Sequence, residues 1–92
     1  WKARATSGSG DQGADVIAEK DGWKVIVQCK KYKKSVGNKA VQEALAAKTH
    51  FNGTHAIVVN SSGTFTKAAR ELAATSGVKL MHPNDLQEWS PD

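Results

Sequence analysis

Two runs rich in β-branched and aromatic residues, 14–20 (ADVIAEK) and 23–32 (WKVIVQCKKY), flank the pair Asp21-Gly22. Asp followed by Gly suits a two-residue type I′ turn, so the pattern predicts a tight hairpin. With these two residues as the loop, Lys20 pairs with Trp23, Ile17 with Ile26, and Asp15 with Gln28. Directly opposed residues share one face of a sheet, their Cβ atoms roughly 4.5 to 5.5 Å apart. Lys30, two positions beyond Gln28, falls on that face as well. Upstream, residues 1–6 (WKARAT) predict a short strand with Trp1, Ala3 and Ala5 on one side, and SGSGDQG reads as a glycine-rich turn.

The period then changes. From Asn38 to residue 51, Val41, Ala44, Leu45 and Lys48 recur at helical spacing, with Asn38 in position to cap the helix. HAIVVN (55–60) is a continuous apolar run of the kind found in a strand buried on both faces. SSGTFT supplies turn residues and a cap before a second helix, KAARELAATSG, which Gly77 closes. VKLMH is a last strand, and Pro83 stands near the start of a short terminal helix for which Asn84 is a candidate cap. The order β, β, β, α, β, α, β combines an antiparallel meander with right-handed parallel crossovers, which makes a mixed α/β sheet.

A length of 92 residues allows one domain, taken as 1–92, and a hydrophobic share of 39% is enough for a thin core and excludes a disordered chain. The net charge of +4 suits a polyanionic partner, and its most concentrated stretch is KKYKK at Lys30–Lys34. Cys29 is the only cysteine, which excludes an internal disulfide and a cysteine-rich zinc site and fits a reducing cytoplasm. No apolar run is long enough for a transmembrane helix or a signal peptide. The chain opens inside a strand at Trp1 without an initiator Met, so a fragment of a longer protein is expected. His50, His55 and His82 sit on three different elements without ligand spacing. SGSGDQG is not a phosphate loop, because a strand follows it and no lysine occupies the Walker position. Asp11 belongs to that turn.

A carboxylate, an amide and an ammonium thus converge among Val16, Ile17, Ile26, Val27 and Cys29, where polar groups need a reason to be. A hard divalent cation supplies one, taking oxygens from the Asp15 carboxylate, the Gln28 side chain and the Cys29 backbone carbonyl. Lys30 would then orient or deprotonate the attacking water and offset charge on a scissile phosphate. Lys31, Lys33 and Lys34 are candidates for contact with the phosphates of a polyanionic partner. The Cys29 side chain alternates to the other face as a small core residue.

The strings SGDQGADVIAE, VIVQCKKY, VGNKAVQEA and AIVVNSSGTFTKAARELA through GVKL resemble the Mrr-type restriction endonuclease family, within the PD-(D/E)xK nuclease superfamily, over nearly the whole chain. That resemblance implies a restriction-endonuclease-like mixed sheet flanked by helices. It also implies Mg²⁺-dependent hydrolysis of DNA phosphodiester bonds, with Mn²⁺ able to substitute, in a bacterial or archaeal protein. Asp15 matches the family's metal aspartate, Gln28 the glutamine that often replaces its glutamate, and Lys30 the catalytic lysine. Gln42 matches a glutamine on the following helix that lies near the site. The family carries a helix before the first strand that this chain begins too late to contain. The face bearing Val25, Val27, Ile57 and Val59 is therefore expected to be undercovered and to support a homodimer. A DNA-binding module that keeps the fold without cleavage, and a Holliday-junction resolvase, are the alternatives.

Overall fold

The computed structural model describes residues 1–6, 13–30 and 33–91, with residues 13–15 described through their backbone alone. Five strands form one sheet in chain order: β1 (Lys2–Ala5), β2 (Gly13–Lys20), β3 (Trp23–Lys30), β4 (His55–Asn60) and β5 (Lys79–Met81). The pairs β1–β2 and β2–β3 are antiparallel, whereas β3–β4 and β4–β5 are parallel. Helices α1 (Asn38–His50) and α2 (Lys67–Ser76) provide the two parallel crossovers, and a short α3 (Pro83–Leu86) follows β5. The mixed α/β sheet expected from the pattern is the one observed.

The hairpin turn is local chemistry. Asp21 and Gly22 have φ of 51° and 87°, the two positive values a type I′ turn requires. They set the predicted register: Lys20 opposite Trp23, Ile17 opposite Ile26, Asp15 opposite Gln28. The side-chain period of two then assigns every position of β3 to a face.

On one face Ile26, Gln28 and Lys30 stand in register with Ala56, Val58 and Asn60 of β4. Both crossover helices pack here, burying Ala40, Val41 and Ala44 of α1 and Ala69 and Ala73 of α2 with Val36, Phe65 and Val78. Alanines at these contacts let the helices sit close to the sheet.

The opposite face departs from expectation. Val25, Val27, Ile57 and Val59 are not undercovered; each is at most 5% exposed, packed against Val16, Cys29, Met81, Leu86 and Trp89. The cover is the C-terminal segment, in which α3 presents Leu86 and the residues after it bring in Trp89. What stays open on this face is a groove of about 330 Å³ over the hairpin, whose lining includes Trp1, Val16, Val25, Val27, Leu86 and Trp89.

Helix starts follow tertiary constraints as well as local ones. Thr66 caps α2 through Oγ1, which accepts from the Ala69 N–H at 3.1 Å, and Gly77 ends it at φ 83°, as the sequence predicts. The cap of α1 is Gly37 rather than Asn38, its carbonyl accepting from the Ala40 N–H at 3.2 Å. Val36 is fully buried and bridged to Phe65, so the chain leaves that anchor directly into the helix. Pro83 opens α3 as expected, but the cap is His82, not Asn84: His82 Nδ1 accepts from the Asn84 N–H at 3.0 Å, and Asp85 accepts from the His82 N–H at 3.4 Å. Among the described residues no helix is long and apolar enough to cross a membrane.

Candidate active site

The hairpin register puts Asp15 and Gln28 directly opposite each other at the end of β2–β3 remote from the turn. The Asp15 side chain lies outside the described part of the structure. Gln28 Oε1 is buried and has no hydrogen-bond partner among the described residues. A buried carbonyl oxygen left without a donor costs about 1 to 3 kcal/mol, so such an atom calls for a specific reason. A hard cation is one, since amide carbonyls are among its ordinary oxygen ligands. In this respect the residues present fit a divalent metal.

Lys30 ends β3 and is only 7% exposed. An ammonium so placed needs compensation. It comes from α1, where Glu43 Oε1 lies 3.4 Å from Lys30 Nζ, with Glu43 itself 44% exposed. The pair therefore sits at the margin between the core and solvent.

Beside it, Asn60 organises the strand ends. It is fully buried, and its Nδ2 donates to the Lys34 carbonyl at 3.2 Å, Ser62 Oγ at 2.8 Å and the Thr64 carbonyl at 2.8 Å. Oδ1 accepts from the Ser62 N–H at 3.4 Å. The Ser61 N–H donates to the Lys30 carbonyl at 3.2 Å, while Val36 exchanges backbone bonds with Thr64 and Thr66. These bonds hold exposed Lys33 and Lys34 at the carboxyl ends of the parallel strands, where open α/β sheets bind ligands.

The expected residues divide accordingly. Gln28 and Lys30 share a face with the Asp15 position opposite; Lys33 and Lys34 are exposed close by in the chain; Lys31 and Asp11 lie outside the described residues. The Cys29 side chain packs on the opposite face beside Val27 and Val59, so a contribution to a cation would have to come from its backbone carbonyl. Gln42 is exposed, and the α1 side chain that meets Lys30 is its neighbour Glu43. Glu43 was not among the residues expected from the sequence. Its available signal was a step of three residues from buried Ala40, which places it on the edge of the helix's buried stripe. The histidines serve elsewhere: His55 packs edge-on between Trp23 and Trp89 at 5.0 and 5.6 Å, His82 caps α3, and His50 lies against Phe51. Among the described residues no three His, Cys, Asp or Glu side chains come together.

Comparison with known proteins accords with this geometry. The family model for the restriction endonuclease catalytic domain, Mrr_cat, matches residues 1–90. No curated protein matches the chain. The crystal structure of the protein of unknown function AF1548 is similar in fold, with a TM-score of 0.65 at 20% identity over 86% of this chain. This chain spans 47% of that one, about half its length. With the mixed sheet, the Asp15–Gln28 register and the buried Lys30 all in place, the match over residues 1–90 assigns the chain to the Mrr-type restriction endonuclease catalytic-domain family.

Proposed function

We propose that this nuclease domain is a Mg²⁺-dependent DNA endonuclease whose centre is built from Asp15, Gln28 and Lys30. The observation that carries the proposal is Gln28 Oε1, buried and without a donor among the described residues, on the same face of β3 as the buried Lys30. The Asp15 carboxylate, Gln28 Oε1 and the Cys29 backbone carbonyl would hold the cation, with Mn²⁺ able to replace Mg²⁺. Bound there, the cation would act as a Lewis acid toward a phosphoryl oxygen.

The remaining chemistry belongs to the chain. Lys30 keeps a fixed positive charge where negative charge builds up on the phosphate during attack, and its ammonium is able to orient the attacking water. Its burial removes competing solvent, and Glu43 restricts where Nζ points. Lys33 and Lys34, with Lys31, attract the DNA backbone without reading bases. Gln42, exposed on α1, is a candidate for contact with substrate rather than with Lys30. Cutting both strands with one such centre per chain calls for two copies, so a homodimer is part of the proposal.

The test is nicking of supercoiled plasmid in Mg²⁺ or Mn²⁺, with EDTA as the control. Lys30→Ala should lower cleavage by several orders of magnitude while DNA binding survives, and Asp15→Ala should remove both metal binding and cleavage. If both variants cleave like the parent, the centre lies elsewhere; DNA binding without nicking under any metal would favour a non-cleaving module.

A further inference from the structure

We propose that Glu43 is the second carboxylate of the metal centre, a ligand-side residue supplied by α1 in place of the one that β3 lacks. The inference rests on the nuclease reading above and concerns how its cation is held.

Charge comes first. The hairpin offers one carboxylate, Asp15, and one neutral donor, Gln28, beside the ammonium of Lys30. Asp15 and Lys30 alone sum to zero, and a neutral, partly buried group has little capacity to draw a divalent cation out of water. One more carboxylate makes the set anionic. Among the described residues, the other acidic side chains are engaged or placed elsewhere. Glu19 pairs with Lys24 near the hairpin turn, Asp21 forms that turn, Glu71 pairs with Lys67 along α2, and Asp85 belongs to the α3 cap. Glu88 lies beyond α3, next in sequence to Trp89 on the opposite side of the sheet.

Position points the same way. Glu43 Oε1 is bonded to Lys30 Nζ, and Lys30 shares its face of β3 with Gln28, whose Oε1 is buried and has no partner among the described residues. Two residues along a strand cover roughly 6.5 Å, so Gln28 and Lys30 are neighbours on that face, and Glu43 reaches it from α1 beside Lys30. The Glu43 end of the ion pair is 44% exposed while Lys30 is 7% exposed, so a divalent cation can reach that carboxylate from the solvent side while Lys30 keeps its counter-charge.

The experiment is calorimetric titration with Ca²⁺ and with Mg²⁺, without DNA, on the parent chain and on Glu43→Gln, Glu43→Asp, Asp15→Ala and Glu71→Gln. Thermal unfolding of each variant checks that it is folded. Glu43→Gln should weaken the cation by about tenfold or more, Glu43→Asp by less, and Glu71→Gln not at all. Returning a carboxylate to the strand in the double variant Gln28→Glu/Glu43→Gln should recover most of the missing affinity. If Glu43→Gln and Glu43→Asp bind both cations like the parent while Asp15→Ala does not, the inference fails and the nuclease reading stands. Retained affinity with a lower turnover at saturating metal also overturns it, because Glu43 would then only position Lys30. If the parent itself neither binds cation nor nicks DNA, the nuclease reading falls and takes this inference with it.

Discussion

The side-chain amide of Asn60 donates to the backbone carbonyl of Lys34 at 3.2 Å, joining the end of β4 to the basic segment 26 residues earlier in the chain. The same nitrogen donates to Ser62 Oγ and the Thr64 carbonyl, so one fully buried side chain determines where two loops stand relative to Lys30. Asn60→Ala would leave these acceptors short of a donor beside a new cavity. A loss of roughly 2 to 3 kcal/mol in stability is expected, read from urea unfolding. A change below about 0.5 kcal/mol would mean that the loops are held by other interactions.

Gln28→Glu adds an anionic oxygen where a neutral one now lies buried. Mg²⁺ affinity should rise and plasmid nicking should persist at least in part, since the new ligand is harder than the amide. Weaker Mg²⁺ binding in calorimetry would indicate that the new carboxylate pairs with Lys30 instead, or that Gln28 is not a ligand.

Replacing Lys31, Lys33 and Lys34 together by Ala should weaken binding about equally for unrelated DNA sequences. The plot of log affinity against log salt should flatten by about 0.9 for each phosphate that is no longer neutralised. An unchanged slope would place the DNA on another surface.

Gly53 lies behind the hairpin, where a Cβ would come within 2.8 Å of Ile26 Cγ1 and 3.2 Å of the Lys24 carbonyl. Ile26 is fully buried and has little room to yield. Gly53→Ala should therefore destabilise the fold by about 1 to 3 kcal/mol in chemical denaturation. An unaltered midpoint would show that the strand gives way more easily than its packing implies.

Because Leu86 and Trp89 pack over Val25, Val27, Ile57 and Val59, the proposed homodimer can use only the part of that face left open over the hairpin. The surface still open to a second copy lies toward the hairpin, where the groove is accessible, β1 is an exposed edge strand and Trp1 is 52% exposed. Analytical ultracentrifugation at tens of micromolar should show a dimer; a monomer at about that concentration would remove the proposal.

What the sequence by itself determined is what short-range chemistry decides. Asp21-Gly22 specifies a turn with two left-handed residues, the turn specifies the register, and the register brings Asp15, Gln28 and Lys30 to one end of one sheet face. The cap at Thr66, the stop at Gly77 and the buried run of β4 were legible for the same reason, since each depends on neighbours within a few residues. Tertiary structure decided the rest. The Gly37 start of α1 depends on the Val36 bridge to Phe65, and the closed valine face depends on Leu86 and Trp89 returning from the far end of the chain. Helical periodicity marked α1 as amphipathic but left Gln42 and Glu43 nearly equivalent at the edge of its buried stripe. Only the packing of α1 across β3 turned Glu43 toward Lys30, because the rotation of a helix about its axis is set by the surface it packs against.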